Sequence, residues 1–355
     1  MSVKKNVAVI TLPGSFNYGN RLQNYAVTKI YESLGFHAET LKLEERFNVI
    51  QRLEDLARKI LGRPYNNPEE CMTACRRAAF ERFDSNIQMR TIDYDLKRLA
   101  SEYDYFSVGS DQVWNPTYTV YNDDWYFLKF AEPGQRIALA PSIGLDSLDF
   151  SQKARLRSGL KGFVMPSVRE RRGAELIKEC TGVDARVVCD PTLVLAAGEW
   201  RQIADDSLTP HEPYVFTYLL GGIGSEAAEV LRVVTRDGEL PVISLSDRQR
   251  DGELDAGPAE FISLIDNAQH VVTDSFHAAV FSALMQTPLT IVHRDGGASM
   301  FSRLETLAQN LGLEDKIYGS YSYSNDSASN YDGVESRIGE QRDFFINFLK
   351  ARLND

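Results

Sequence analysis

No run of about eighteen consecutive apolar residues occurs in this chain of 355 residues, so the sequence offers no helix able to cross a bilayer. Positive charge is also short: 39 Lys and Arg face 50 Asp and Glu, a formal net charge of −11. That balance argues against nucleic acid as a partner, because counterion release needs a basic surface. It leaves room for a small anion held by a local cluster such as Arg169-Glu170-Arg171-Arg172. Cysteine is scarce. The 4 thiols, Cys71, Cys75, Cys180 and Cys189, make neither a Cys-x-x-Cys pair nor a disulfide framework. Cys71 and Cys75 fall one turn apart on an expected helix, but no histidine lies near them in sequence to complete a metal site, so all four are read as reduced and structural and no metal is expected. Residues 1–6 pass directly into the strand-like run 7–12, with no apolar leader between them, which predicts a cytoplasmic protein.

Nucleotide fingerprints are missing as well. Gly14 and Gly19 have the spacing of a P-loop, yet Asn20-Arg21 stands where Lys-Ser or Lys-Thr would grip phosphate and magnesium. Neither glycine loop carries G-x-G-x-x-G, and no cofactor is expected.

What the chain does contain is an alternation of apolar runs with helical patterns. Strands are predicted at 7–12, 37–43, 105–109, 137–142 and 162–167, then at 214–220, 242–245, 270–273 and 289–293. A helix from Leu22 to Leu34 ends at Gly35, and further helices are expected at 225–236, 258–268 and 333–353. Residues 318–332 read as a Tyr- and Ser-rich loop. Such alternation builds parallel sheets covered on both faces. Each half opens with strand, glycine loop and helix, so the expected fold is α/β with two facing, doubly wound, Rossmann-like domains: 1–195 and 196–355, hinged at about 190–212.

Loops at the carboxyl ends of parallel strands are where ligands bind, and four such loops stand out. His277 falls in the first helical turn after the strand at 270–273, where free backbone N–H groups and the helix dipole suit an anion and the imidazole can donate a proton. Taken alone, a histidine at a helix start is more often a capping or packed residue, and it is the rest of the chain that points to a site. Asn17, Gly19 and Asn20 follow the first strand; a tight turn explains the glycine, while two amides beside an open helix start suit a ligand oxygen. Ser110, Asp111, Trp114 and Asn115 follow the strand at 105–109 and are either a plain turn or a sugar-binding surface of one aromatic face with polar groups. Arg169 ends the strand at 162–167 and is either a surface ion pair or a bidentate clamp for carboxylate or phosphate.

Together these loops resemble the polysaccharide pyruvyl transferase family. The resemblance is carried by residues 14–26 (Gly-Ser-Phe-Asn-Tyr-Gly-Asn-Arg-Leu-Gln-Asn-Tyr-Ala) and by Val108-Gly109-Ser110-Asp111-Gln112-Val113-Trp114-Asn115. Ser167-Val168-Arg169-Glu170, Asp190-Pro191-Thr192-Leu193, Thr273-Asp274-Ser275-Phe276-His277 and Ser302-Arg303-Leu304 follow in the family's order. It implies a glycosyltransferase B-like fold and transfer of pyruvate from phosphoenolpyruvate to a sugar as a cyclic ketal. The acceptor would be a glycan or a lipid-linked oligosaccharide, reached by peripheral contact where it is membrane-borne. By the same resemblance His277 is the catalytic acid and Arg169 binds phosphoenolpyruvate. Ketal transfer also needs a group to orient or deprotonate the sugar hydroxyl, for which Asp111 is the candidate. Many members carry an arginine two residues before the histidine; Ser275 stands there in this chain, and Arg303 is the candidate to compensate, although sequence alone does not bring it to the site. Two other functions fit the same sequence: a glycosyltransferase B-type enzyme using a nucleotide sugar, and a non-catalytic saccharide-binding protein of a polysaccharide assembly system.

Overall fold

The computed structural model describes residues 4–12, 14, 16–44, 68–93, 95–117, 123–295, 301–324 and 328–354. Pro13 and Ser15 of the first glycine loop, and 325–327 of the Tyr-rich stretch, lie outside them.

The first sheet contains β1 (Asn6–Ile10), β2 (His37–Leu43), β3 (Met89–Ile92), β4 (Tyr105–Val108) and β5 (Arg136–Ala138) in the order β3-β2-β1-β4-β5, every pair parallel. A two-stranded parallel ribbon of β6 (Ser167–Val168) and β7 (Arg186–Val187) follows. The second sheet, β8 (Val215–Tyr218), β9 (Val242–Leu245), β10 (His270–Thr273) and β11 (Leu289–Ile291), has the order β11-β10-β8-β9 and is also parallel. In each sheet the winding reverses beside the first strand, between β1 and β4 and between β8 and β10. Crevices open at such reversals, outside the carboxyl ends of the strands.

Eight helices matter for the site: α1 (Tyr18–Ser33), α2 (Ala74–Asp84), α3 (Arg171–Thr181), α4 (Ser225–Val234), α5 (Pro258–Asp266), α6 (Phe276–Met285), α7 (Ser302–Leu311) and α8 (Val334–Asn354). Every residue of α6 is buried. Its sequence, Phe-His-Ala-Ala-Val-Phe-Ser-Ala-Leu-Met, is apolar nearly all round, as a central helix requires. One apolar cluster runs through both halves, from Val7 and Leu22 to Phe261, Phe281 and Val271. Tyr18 stacks on Phe261 with ring centroids 4.6 Å apart, and its hydroxyl donates to the Ala256 carbonyl at 3.1 Å. Trp200 packs edge-on to Phe281 at 4.9 Å and against Tyr25 at 5.6 Å. α8 then returns to the first sheet, where Tyr105 donates to the Leu353 carbonyl at 2.8 Å.

Several sequence expectations change, among them the strand expected at 137–142, which is observed at Arg136–Ala138. The strand expected at 162–167 contracts to the two residues of β6, because 162–165 are largely exposed and pair with no strand. Met89–Ile92 forms a strand that the pattern did not reveal; it is short and interrupted by arginine. Cys71 ends a short 3-10 helix, Pro68–Cys71, whereas Cys75 lies in α2, capped by Thr73, so the two thiols do not share one helix. All four cysteines are free. Among the described residues no helix is long and apolar enough to cross a membrane.

Candidate active site

The loops after β1, β4, β6 and β10 converge. Asn17 caps α1 by accepting from the Asn20 backbone N–H at 2.9 Å, which leaves its side chain a structural task. Asn20 turns inward and donates to Asp111 Oδ2 at 3.3 Å. Buried Gln23 ties the first two loops together: its amide donates to Thr11 Oγ1 at 2.7 Å and its carbonyl accepts from the Ser110 N–H at 2.9 Å. Gly19 lies directly against the imidazole of His277. A Cβ there would overlap Nδ1 and Cγ and stand 2.6 Å from Cε1.

Asp190 is the hub of the site. Its Oδ2 accepts from Arg169 Nη1 at 2.7 Å and from Ser110 Oγ at 2.8 Å. Its Oδ1 accepts from the backbone N–H of Thr192 at 3.0 Å and from Thr192 Oγ1 at 2.7 Å. His277 Nε2 stands 3.7 Å from Oδ2, too far for a hydrogen bond, and is buried with no partner among the described residues. Burial alone would raise the Asp190 pKa; His277, Arg169 and the Thr192 N–H outweigh it and hold the carboxyl well below its usual range. Asp111 behaves likewise: burial opposes ionisation, but Arg169, His277 and Arg303 prevail.

The two arginines differ in what they have left to give. Arg169 is committed to two carboxylates, with Nη1 on Asp190, Nη2 on Asp111 at 3.2 Å and its Cζ 4.5 Å from the Phe276 ring centroid, and only its buried Nε lacks a partner. The expected free clamp is therefore already closed on two carboxylates. Arg303 is also buried, but no hydrogen bond or ion pair joins it to the described residues, and its Nε is unpartnered. Burial first, then the neighbouring Arg169 cation, push its pKa down to about 10, so it stays charged at neutral pH, and Glu170 and Asp111 are the acids nearby. Ser275 is the N-cap residue of α6; its own N–H is taken by Thr273 Oγ1 at 3.0 Å and its side chain makes no cap. The N-termini of α1 and α6 thus meet at His277, two positive dipole ends beside one unpaired guanidinium.

The second glycine loop is filled from within. Asp274 accepts from the N–H groups of Leu220 at 2.7 Å and Gly221 at 2.8 Å. A Cβ at Gly224 would lie 2.7 Å from Asp295 Cβ, so the loop also abuts its neighbour closely.

His277, Asp111, Asn20, Gly19, Ser110, Arg169, Ser275 and Arg303 are therefore gathered around one place. Trp114 and Asn115 are not part of it. The Trp114 indole is buried, stacks on Phe127 at 5.7 Å and donates to the Tyr126 carbonyl at 3.1 Å, so it has no face to offer a sugar. Asn115 is buried and hydrogen-bonded within its own loop, to Gln112 Oε1 at 2.7 Å and from the Thr117 N–H at 2.9 Å. Asp190, Gln23 and Phe276 escaped sequence reasoning. For Asp190 the signal is the Asp-Pro-Thr turn that closes the apolar run 187–189.

The profile of a family described as polysaccharide pyruvyl transferase matches residues 17–295. No curated protein matches the chain. Among solved structures, S. aureus MnaA with UDP aligns at TM-score 0.50 and 9% identity, covering 99% of this chain and 97% of that one. UDP-GlcNAc 2-epimerase from Neisseria meningitidis bound to UDP-GlcNAc gives 0.49 and 10%, over 98% and 100%. The lipopolysaccharide outer core galactosyltransferase WaaB gives 0.44 and 11%, over 98% and 99%. At such identities the likeness is one of fold alone, two Rossmann-like halves of the glycosyltransferase B type.

Proposed function

This chain belongs to the polysaccharide pyruvyl transferase family, and on that premise we propose that it moves pyruvate from phosphoenolpyruvate onto a glycan, or onto its lipid-linked precursor, with His277 as general acid. The observation that carries the reading is the buried, unpartnered Nε2 of His277, beside the paired carboxylates of Asp190 and Asp111 and the buried, unpartnered Nε of Arg303. A buried polar atom left without a partner asks for one from a ligand. Arg303 and the N-termini of α6 and α1 supply the positive field for a substrate carrying carboxylate and phosphate.

The chemistry needs no metal or nucleotide. His277 protonates the methylene carbon of the enol, leaving a cationic carbon that a sugar hydroxyl attacks. Cleavage of the carbon–oxygen bond releases phosphate, and a second hydroxyl of the same sugar closes the ketal. One hydroxyl proton restores the histidine and the other leaves with phosphate. Asp111, held by Arg169 and Asn20, orients or deprotonates the hydroxyl. We assign the first half, 1–195, to the acceptor and the second, 196–355, to the catalytic histidine, in a cytoplasmic protein that meets a membrane-borne acceptor at the surface.

Asp274 weighs against a nucleotide-sugar donor, since it occupies backbone N–H groups of the glycine loop that a donor phosphate would otherwise claim. The test is incubation with phosphoenolpyruvate and candidate glycans, following phosphate release and glycan mass. A pyruvate ketal, formed only with acceptor present, supports the reading. Gain of a hexose from a sugar nucleotide overturns it in favour of a glycosyltransferase. Glycan binding without turnover across an acceptor panel overturns it in favour of a saccharide-binding protein.

A further inference from the structure

Asp190 lies on the connection between the two halves, yet its carboxylate sits among groups from four separate loops: Ser110 after β4, Arg169 after β6, Thr192 on its own turn and His277 after β10. It is 1% exposed, and four donors fix both oxygens without any help from His277. A carboxylate held so firmly 3.7 Å from an imidazole nitrogen does not compete for its proton by a hydrogen bond, but supplies a negative field on that side of the ring that orients it and fixes which nitrogen carries the proton. On the opposite side Gly19 blocks Nδ1 and Cγ, so the ring is confined between a carboxylate and a bare backbone. Arg169, spent on Asp190 and Asp111, then serves the carboxylates.

We propose that Asp190 is the positioning residue of the acid His277, and that Arg169 and Ser110 act by holding Asp190 in place. The proposal rests on His277 being the acid, and one arm of its test is independent of that reading. Asp190→Asn keeps the volume and a carbonyl for Thr192 but removes the charge. Its expected effect is a loss of kcat by about a hundredfold with KM for phosphoenolpyruvate changed by less than about threefold, the pattern of a lost acid function with binding retained. The independent arm is the nitrogen NMR spectrum of the His277 imidazole. The wild type should hold the proton of the neutral ring on Nε2, and Asp190→Asn should lose that preference. Ser110→Ala, which removes one of the donors to Oδ2 and no charge, should shift both readouts in the same direction and by less, which keeps the idea testable if Asp190→Asn fails to fold. Wild-type imidazole spectra in the two variants overturn the proposal whatever the activity. Were the wild-type protein inactive with every acceptor, the transferase reading would fall, and the spectra alone would still decide what Asp190 does to His277.

Discussion

Gly19 and His277 meet face to face across the two halves of the molecule, the first turn of α1 lying against the imidazole on the first turn of α6. A methyl group on Gly19 cannot be accommodated without moving the ring. Gly19→Ala is therefore expected to lower kcat by roughly ten- to a hundredfold, as a misplaced acid does, while thermal unfolding by circular dichroism stays close to wild type. Unimpaired turnover would show that the contact does not set the ring's position.

His277 and Arg303 should separate in kinetics. His277→Asn is expected to cut turnover by at least about a hundredfold with phosphoenolpyruvate affinity retained. Arg303→Ala should instead raise KM, a charge-assisted contact being worth about 1.5–3 kcal/mol, or roughly ten- to a hundredfold. Steady-state phosphate release over a range of phosphoenolpyruvate concentrations distinguishes the two.

Ser275→Arg restores the cation that many relatives carry, two residues before the histidine. Position 275 is buried at the N-cap of α6, beside the same pocket. Added to Arg303→Ala, the substitution should recover most of the lost phosphoenolpyruvate affinity, read by calorimetry. No recovery in a folded double variant would place the two positions in different pockets.

Trp114→Ala tests core against surface. With the indole buried and stacked, truncation should destabilise the fold by about 3–5 kcal/mol. Urea denaturation measures this, and a well-folded variant that lost only glycan binding would return Trp114 to the site.

His270 sets an acid limit on stability. Burial, then the nearby Lys316, push its imidazole pKa down to about 4, against an ordinary value of 6.5. Above that ordinary value the ring is neutral folded or unfolded. Between the two, only the unfolded chain takes the proton, so stability falls as pH drops through this window, by at most about 3 kcal/mol. His270→Gln should lose less stability than wild type between neutral pH and about pH 4.5 in urea titrations.

The strands at 37–43, 242–245 and 270–273 fall where apolar pattern places them, as β2, β9 and β10. All three adjoin the first strand of their sheet, and β10, inside its sheet and buried along its whole length, carries the clearest apolar signal. β3 sits at an edge and carries Arg90, so nothing periodic announces it. The site was legible to the same extent. Positions at the carboxyl ends of strands, such as Ser110, Asp111 and His277, follow from local pattern and winding. Which arginine is committed to carboxylates and which is not does not, since Arg169 and Arg303 look alike in sequence and differ through carboxylates brought to Arg169 from 21 and 58 residues away. Trp114 misled for a related reason: a tryptophan beside polar neighbours reads as an exposed platform unless the Tyr126 carbonyl and Phe127 ring that claim it are known.

The aromatic seam of Tyr18, Phe261, Tyr218, Trp200 and Phe281 has a bearing on how the protein can be taken apart. Its rings come from both halves and shield one another, so cutting the chain near the middle would leave each fragment with a raw apolar flank. Such fragments would tend to clump, and co-expressed they would tend to rejoin. The two sheets are therefore expected to unfold as a single unit.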